Sequence, residues 1–362
     1  MIKTILLPGT GKMALDIGIF LLRKRFKIIW LSRDIVRLNN FQKKAEKRIL
    51  RLERGGLIDK DYTHPSFYTY DKKTIPSGDI IIESINENLK EKRDVLSRLK
   101  SCTSEATIIF SNSSSILPER IHKNCIGLHF FYPVELTNFA ELIFSKNINE
   151  QRKKNVMDFI KSIGINHIAQ NNINAFIANR ILLPVQAESF RQKENNEDPL
   201  IIDTASSFDM LPVGQFSLMN SVGLETIYVS IKNYIKKMPR NVRKDYSIMK
   251  SNIKRILSKT DDGKIRLNTR SLTENDAARI DILKKTFTLI FINTCLNVIE
   301  LSMLEEARLN FLLKNLFQIE KPIDEITREH ATEENLEFIG DLYYKTSIRY
   351  FKPSKLWLPG RI

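Results

Sequence analysis

The chain has 362 residues and a formal net charge of +15, with 57 Lys and Arg against 42 Asp and Glu. At about 150 residues per domain, this length predicts two to three domains and excludes a single small module. Charged residues make up 27% and apolar residues 42% of the chain, which is typical of a soluble globular protein and excludes a disordered one. No apolar run approaches the roughly 18–20 residues of a membrane span, so we expect no membrane partner.

The N-terminus and the cysteines indicate the compartment. The apolar run in residues 1–9 is too short for a signal peptide and is typical of a buried strand. Three widely spaced cysteines, Cys102, Cys125 and Cys295, argue against a disulfide framework and a structural zinc site. We therefore expect a reducing, cytoplasmic location. We expect no metal either, because no cluster with ligand spacing surrounds the histidines at 64, 122, 167 and 330.

Residues 1–172 alternate between predicted strands and helices. A charged stretch at 36–60 predicts an amphipathic helix or an inserted helical hairpin that stops at Gly55-Gly56. Because the first two strands enclose a helix within about thirty residues, we expect a parallel sheet. The predicted strands are Lys3–Leu7, Lys27–Leu31, Phe67–Tyr70, Asp79–Glu83, Thr107–Phe110 and Cys125–Phe131, with helices at Ile17–Leu22 and Leu89–Leu99.

From about residue 173 the strand pattern fades and helical spacing takes over. A polar stretch, Ser258–Asp276, separates two helical halves. The fold class predicted is therefore α/β, followed by an all-α portion. The predicted helices are Ala175–Arg191, Leu218–Lys236, Asp281–Leu304 and Glu306–Leu316.

A glycine-rich loop, Gly9-x-Gly11-x-x-Ala14, lies between the first predicted strand and helix. Glycines there permit a tight turn and a close approach of the backbone to a pyrophosphate. The helix N-terminus offers free N–H donors, and Ala14 is small enough for helix–strand packing. This arrangement predicts a dinucleotide-binding, Rossmann-type doubly wound sheet in residues 1–172. The alternative is an ordinary glycine turn.

Four further motifs follow the glycine loop: SNSSS at 111–115, HFFYP at 129–133, a glutamate, Glu141, in FAELI, and FIANR at 176–180. In this order the five motifs resemble the L-3-hydroxyacyl-CoA dehydrogenase family. Residues 84–92 and 211–226 resemble further segments of that family. Two departures stand out: Tyr132 replaces the usual Asn after HFF, and Asn174-Ala175 stands where a Pro-Gly pair is common.

The resemblance implies hydride transfer between a nicotinamide cofactor and a 3-hydroxyacyl thioester, which becomes a 3-oxoacyl thioester. It implies that His129 is the general base and acid, and that Glu141 stabilises the imidazolium. Ser114 and Asn179 would hydrogen-bond the substrate hydroxyl and the thioester carbonyl. Glu87 and Lys92 would lie on the cofactor side. Taken singly, His129 would instead be a core histidine, Ser114 a turn serine and Asn179 a helix cap. Glu87 and Lys92 would lie on a solvated helix face.

The end of the second predicted strand bears on the choice between NAD and NADP. In NAD-specific relatives an acidic residue there hydrogen-bonds the ribose 2′-hydroxyl. Here the position holds Ser32, followed by Arg33, which suit a 2′-phosphate better. Asp34 lies two residues too late and resembles a helix cap. We expect NADP(H) in preference to NAD(H); the alternative is that Arg33 faces solvent or stacks on the adenine of either cofactor.

A basic stretch at 232–255 carries nine Lys and Arg against one acid, Asp245. We expect it to contact the anionic carrier to which the acyl group of the substrate is attached. This carrier is either coenzyme A, through its phosphates, or an acidic acyl carrier protein. Nucleic acid is not expected, since no recognition helix or aromatic-interleaved basic strand is present. The alternative is a solvated helix with no partner.

The last residues, 349–357, resemble the family's terminal segment but follow the second helical half. The resemblance thus implies two related helical domains, 173–260 and 277–362, which pair within the chain and allow a monomer as well as a homodimer. Two other functions stay open. One is a dehydrogenase of a free 3-hydroxy acid or polyol acid, and the other is a non-catalytic interaction protein that retains the fold.

Overall fold

A computed structural model describes residues 4–58, 62–70, 75–171, 176–208 and 210–357. The chain divides into two compact units, Met1–Ala175 and Phe176–Ile362. Asn174 and Ala175 lie outside the described residues, as does the end of the predicted insertion at 59–60.

The described part of the first unit contains one eight-stranded sheet with the order β3-β2-β1-β4-β5-β6-β7-β8. Neighbouring strands are parallel except that β7 runs antiparallel to β6. The strands are β1 (Thr4–Pro8), β2 (Lys27–Ser32), β3 (Ser66–Thr69), β4 (Ile80–Glu83), β5 (Ile108–Ser111), β6 (Cys125–Phe130), β7 (Phe139–Phe144) and β8 (Asn166–Asn171). The helices are α1 (Lys12–Arg23), α2 (Ile35–Arg54), α3 (Leu89–Arg98), α4 (Pro118–Ile121), α5 (Val134–Thr137) and α6 (Glu150–Ile163), with a 3-10 turn at Leu99–Cys102.

Each face of the sheet has its own core. Alternate residues of a strand point to opposite faces, so Ile5 and Leu7 of β1 join one core while Leu6 joins the other. Helix α1 contributes Ile17 to the first core and α3 contributes Val95 to the second. Both faces are therefore covered by helices, and the predicted doubly wound α/β class is confirmed.

The chain order reverses direction across the sheet at β1, which lies between β2 and β4. In open parallel sheets, ligands bind in the crevice that such a reversal leaves at the carboxyl ends of the strands. The glycine loop follows β1 directly, and the Ser84–Asn88 segment follows β4. The fold thus brings both segments to the crevice.

The first unit differs from the sequence predictions in several elements, since strand β8 and helices α4, α5 and α6 were not predicted. Of the two alternatives predicted for the charged stretch, residues 35–54 form the single helix, 20 residues long, and not the hairpin. Asp34 caps its start, Gly55 ends it, and no turn residue interrupts the buried side chains between them. Strand β8 was not predicted, because its polar sequence NHIAQN buries only part of one face at the edge of the sheet.

The described residues of the second unit are helical, in agreement with the predicted all-α portion. The helices are α7 (Ile177–Glu194), α8 (Pro199–Ala205), α9 (Gln215–Val222), α10 (Leu224–Lys237), α11 (Arg240–Arg243), α12 (Ser247–Lys259), α13 (Glu274–Glu300), α14 (Glu306–Phe317), α15 (Ile323–His330) and α16 (Glu333–Thr346), with 3-10 turns at Lys244–Tyr246, Arg349–Phe351 and Lys355–Trp357. The relationship between the two predicted helical domains, 173–260 and 277–362, stays a prediction.

Helix bounds in this unit were predicted incorrectly in two places. The stretch predicted as one helix at Leu218–Lys236 is two helices, because Gly223 has φ +99 and breaks the backbone between them. Helix α13 begins seven residues earlier than predicted, at Glu274, because Thr273 and Asp276 form a capping box inside the predicted polar stretch.

Helix α13 is the core helix of the second unit. Among the described helices it alone is long and apolar enough to cross a membrane, and 67% of that apolar window is buried inside the fold. Its Asn293 holds the terminal segment. The side-chain amide donates to the carbonyls of Tyr350 (3.0 Å) and Lys352 (2.9 Å), and its oxygen accepts from Ser354 N and Trp357 Nε1, both at 2.8 Å.

Candidate active site

A buried histidine and a buried glutamate face each other across β6 and β7. His129 and Glu141 are register partners in the antiparallel pair, and Nδ1 lies 2.8 Å from Glu141 Oε2. Because a carboxylate only accepts, Nδ1 carries the hydrogen and Nε2 is the basic nitrogen. The other carboxylate oxygen, Oε1, accepts from Gln170 Nε2 of β8 at 2.9 Å. Both oxygens of Glu141 are thus engaged, in a geometry suited to orienting the imidazole.

The serine segment after β5 is tied to this pair through Asn112. The Asn112 side-chain oxygen accepts the Phe130 N–H at 2.9 Å, one residue beyond His129. Ser111 donates to Glu83 Oε2 at 2.5 Å and accepts from Ser113 N at 3.2 Å. The segment that carries Ser114 is therefore fixed at its start to β4 and β6.

Glu87 gathers the three following serines. Its Oε1 accepts from the hydroxyls of Ser113 (2.6 Å) and Ser115 (2.7 Å), and from the backbone N–H groups of Ser114 (3.1 Å) and Ser115 (2.8 Å). The Ser114 hydroxyl lies 3.5 Å from the same oxygen. Burial alone would raise the pKa of Glu87, but the charge of Lys92 and the serine hydrogen bonds outweigh it and lower that pKa. Glu87 is therefore an anion that shapes the serine loop.

Lys92 is fully enclosed beneath this loop, with 1% of its side chain exposed. Its ammonium lies 2.7 Å from Glu83 Oε1 and 3.4 Å from Glu87 Oε2. Burial disfavours the charged form, but the two carboxylates outweigh it and raise the pKa of Lys92. In this structure Lys92 contacts the carboxylates of Glu83 and Glu87. A contact between Lys92 and a cofactor stays a prediction.

The glycine loop has the shape that a pyrophosphate requires. Gly9 has φ +140, and a Cβ there would lie 2.3 Å from the Ser84 carbonyl oxygen and 3.1 Å from the Ala14 Cβ. At Gly11, by contrast, a Cβ would meet nothing within 4 Å, so open space remains over the start of α1. The first N–H groups of that helix point there and bind anions well. Gly9, Gly11 and Ala14 thus fit a dinucleotide.

One face of α1 holds the segment that follows His129. The Lys12 ammonium lies 3.6 Å from the centroid of the Tyr132 ring, and Asp16 Oδ2 accepts the Val134 N–H at 2.6 Å. Arg23 further along the helix pairs with Glu135. Tyr132, which departs from the family pattern, therefore makes a cation–π contact with Lys12, the first residue of α1.

Ser32 and Arg33 lie at the carboxyl end of β2 but differ in exposure. The Ser32 hydroxyl is buried and is shared between the backbone N–H and C=O of Asp34, at 3.2 and 3.1 Å. The Arg33 side chain is 63% exposed and lies 3.4 Å from Glu91. Asp34 caps α2, as predicted, by accepting the Arg37 N–H. Of the two predicted cofactor residues, only Arg33 presents its polar group to solvent.

Asn179 belongs to the second unit, in the first turn of α7. It does not cap this helix, which starts at Ile177 after Phe176. Its side-chain amide instead donates to the hydroxyl of Tyr234 in α10, at 3.3 Å. The ring of Phe176 packs edge-on against Tyr234, with the centroids 6.2 Å apart.

Asn112, Asp16 and Gln170 are among the residues of this site that were not predicted from the sequence. Asn112 stands inside the SNSSS motif, where its role needed the position of β6. Asp16 is an acidic residue within an otherwise apolar helix, which is a signal for a specific partner, whereas Gln170 lies on a polar edge strand and gives no such signal. Within the described residues, no group of three or more His, Cys, Asp and Glu side chains is placed to hold a metal ion.

Sequence comparison assigns both units. The family profile described as 3-hydroxyacyl-CoA dehydrogenase, NAD binding domain, matches residues 4–173. The profile for the 3-hydroxyacyl-CoA dehydrogenase C-terminal domain matches residues 176–263. Together they cover more than half of the chain. The chain belongs to the 3-hydroxyacyl-CoA dehydrogenase family. The family and the oxidoreductase class predicted from the motifs are confirmed, and the cofactor domain is one that binds NAD.

Curated members of the 3-hydroxyacyl-CoA dehydrogenase family align with about two thirds of the chain or less. Mitochondrial hydroxyacyl-coenzyme A dehydrogenase from Mus musculus is 29% identical over 215 residues, which is 56% of this chain and 68% of that protein. The Homo sapiens enzyme is 30% identical over 200 residues, 52% of this chain and 63% of the human protein. The chain thus spans about two thirds of the length of these relatives.

Solved structures of the family share the fold. The 3-hydroxybutyryl-CoA dehydrogenase from Escherichia coli K12 superimposes with a TM-score of 0.75 at 14% identity, covering 99% of this chain and 98% of that one. The (S)-3-hydroxybutyryl-CoA dehydrogenase from Ralstonia eutropha gives a TM-score of 0.60 at 22% identity, covering 70% of this chain and 94% of its own. At these identities the likeness concerns the fold alone.

Proposed function

We propose that this chain interconverts a 3-hydroxyacyl thioester and a 3-oxoacyl thioester, with His129 as the general base and acid. The observation that carries the proposal is the buried contact of 2.8 Å between His129 Nδ1 and Glu141 Oε2. It leaves the basic Nε2 for proton transfer and keeps a negative charge beside the ring when the ring becomes an imidazolium.

In the oxidation direction the substrate loses a proton and a hydride. A dinucleotide held at the loop of Gly9 and Gly11 would supply the hydride acceptor for C3. His129 Nε2 takes the hydroxyl proton, so that the O–H electron pair forms the new C=O bond, and in reduction the same nitrogen returns the proton. Glu141 stabilises the charged ring through its hydrogen bond to Nδ1. Ser114 and Asn179 would bind the reacting hydroxyl and the thioester carbonyl.

The proposed cofactor preference is for NADP(H). No carboxylate stands at the end of β2, since Ser32 occupies that position and Asp34 is used as the cap of α2. Arg33 offers an exposed guanidinium beside it, and a guanidinium binds phosphate through two parallel hydrogen bonds. Because the Ser32 hydroxyl is held by the backbone N–H and C=O of Asp34, Arg33 would supply most of the discrimination.

The proposed substrate carries its acyl group on coenzyme A or on an acyl carrier protein. Names of the relatives favour coenzyme A. The basic stretch at 232–255 is compatible with either anionic carrier, since Lys232, Lys236, Arg240 and Lys254 are all exposed. A cytoplasmic location and the ability to work as a monomer remain parts of the proposal.

The test follows oxidation of NADPH or NADH by acetoacetyl-CoA, in wild type and in His129→Gln. Wild type should turn the substrate over, and His129→Gln should lower kcat by at least about 10²-fold, the usual range of a general base. His167→Gln is the matched control: His167 is half-buried on β8 and belongs to no contact of the site. Absence of wild-type turnover with a panel of acyl-CoA and acyl-carrier substrates would overturn the proposal.

A further inference from the structure

We infer that Gln170 is a positioning residue for the reaction, acting through Glu141. The inference rests on the proposed function of the His129–Glu141 pair. Gln170 lies on β8, two strands from His129, with 7% of its surface exposed. Its Nε2 lies 2.9 Å from Glu141 Oε1, whereas His129 is bound by Oε2.

The chemistry fixes the orientation of the Gln170 amide. An ionised carboxylate only accepts hydrogen bonds, so the amide must present its NH₂ group to Glu141. Its oxygen then points away, and among the described residues Gln170 Oε1 is buried without a hydrogen-bond partner. A buried polar atom without a partner destabilises a fold. Gln170 therefore donates the second hydrogen bond to Glu141 while its own side-chain oxygen accepts none from the described residues.

The hydrogen bond from Gln170 fixes the orientation of the Glu141 carboxylate. A carboxylate held at one oxygen only can rotate about its terminal torsion, which is broad for glutamate. Bonds at both oxygens fix the plane of the group, and with it the direction in which Glu141 receives the Nδ1 hydrogen. Precise orientation of a catalytic group depends on such supporting contacts. Gln170 therefore determines the orientation of the imidazole without touching a substrate.

Two variants remove the bond in different ways. Gln170→Met keeps the length of the side chain but loses the donor, and Gln170→Asn keeps the amide but is one methylene too short to reach Glu141. Each should lower kcat about tenfold with KM for the thioester and the cofactor within about twofold. Gln215→Met is the matched control, because Gln215 in the second unit is also buried with an unpartnered side-chain oxygen.

A double-mutant cycle decides whether the effect passes through Glu141. If Gln170 acts on that carboxylate, Gln170→Met should change kcat by less than about twofold in a Glu141→Gln background. An equal tenfold loss in both backgrounds would overturn the inference, as would single variants that retain wild-type kcat.

A measurement without substrate separates this inference from the proposed function. In ¹⁵N-histidine-labelled protein, the imidazole Nδ1–H of His129 should exchange with water at least about tenfold faster in Gln170→Met and Gln170→Asn than in wild type. Unchanged exchange would overturn the positioning role even in an active enzyme. Faster exchange would support it even if no acyl thioester were turned over.

Discussion

Glu141 in the first unit and Glu188 in the second are both completely buried, but their partners differ. Glu141 binds His129 and Gln170. Glu188 binds Arg191 through both oxygens, at 2.6 and 2.7 Å, and accepts from the Tyr350 hydroxyl at 2.8 Å. One carboxylate therefore faces an imidazole, and the other faces a permanent cation.

This difference separates a chemical site from a structural one. Burial would lower the pKa of Arg191, but Glu188 outweighs it and raises that pKa, while burial and Glu188 raise the pKa of Tyr350 well above its usual value. Neither of the two ionisable partners of Glu188 exchanges a proton at ordinary pH. An imidazole is the side chain that does so near neutrality. The identity of the partner, not the burial of the glutamate, distinguishes the His129–Glu141 pair, which we propose as the site of proton transfer.

The same substitution at both glutamates should produce opposite results. We expect Glu141→Gln to lower kcat at least about 10²-fold with little change in cofactor affinity or unfolding temperature, since the amide cannot stabilise an imidazolium. Glu188→Gln should instead destabilise the fold by roughly 3 kcal/mol, because it leaves a partly buried guanidinium with a weaker partner. Its kcat per folded molecule should stay within about twofold of wild type.

Steady-state kinetics and thermal unfolding of both variants check this crossover. A Glu141→Gln protein with a normal rate and reduced stability would make Glu141 a structural carboxylate. The comparison between the units would then fail.

The two buried amides extend the comparison. Gln170 uses one donor and leaves its oxygen without a partner, whereas Asn293 makes four hydrogen bonds to the terminal segment. We expect Asn293→Ala to destabilise the protein by about 2–4 kcal/mol, since it leaves four buried groups without a partner. Turnover of the folded fraction should not change.

Urea unfolding measures the Asn293 effect. Asn315→Ala is the control, because Asn315 makes one bond to its own helix, to the Phe311 carbonyl, and should shift stability by less than about 0.5 kcal/mol. Equal stability of the two variants would show that the terminal segment is not held by Asn293.

Local patterns account for the parts of the fold that the sequence predicts well. Apolar runs such as Ile80–Glu83 are buried on both faces and identify inner strands directly. The glycine loop and the cap at Asp34 depend on neighbouring residues only, so their positions follow from the chain. The same holds for the pairing of His129 with Glu141 once the family motifs are recognised.

Features that depend on distant residues were not predictable in this way. Gln170 is polar on a polar edge strand, and its role requires the register of β7 against β8. The role of Asp16 depends on the hydrogen bond that it accepts from the Val134 N–H, 118 residues away. The break at Gly223 was missed because one glycine costs a helix only about 1 kcal/mol, so helical spacing alone does not decide the matter.

The cofactor end of the first unit yields a third prediction. Ser32→Asp should shift the ratio of kcat/KM for NADPH over NADH about tenfold toward NADH, because a carboxylate repels the 2′-phosphate and accepts the 2′-hydroxyl. Arg33→Gln should shift the ratio in the same direction. Ser32→Ala is the control and should leave the ratio nearly unchanged, since the Ser32 hydroxyl is already bound to the backbone of Asp34.

These ratios are measured with acetoacetyl-CoA at saturating concentration. A wild-type advantage for NADH greater than about tenfold would refute the proposed NADP(H) preference. The exposed Arg33 would then serve only its ion pair with Glu91.

The smallest expected effect concerns the exposed charges of the second unit, in contrast to the buried ones of the first. Reversal of Lys236, Arg240 and Lys244 to Glu should raise KM for the acyl thioester about threefold to tenfold at low salt, with kcat unchanged. Interactions between exposed charges are screened within about 10 Å at 0.1 M salt and about 3 Å at 1 M, so the difference should vanish at high salt.

Reversal of Lys146, Lys154 and Lys161, exposed in the first unit, is the control for net charge. If both triple variants raise KM equally, the total charge matters and the 232–255 stretch has no specific contact with the carrier. A KM that is the same at every salt concentration would make that stretch a solvated surface without a partner.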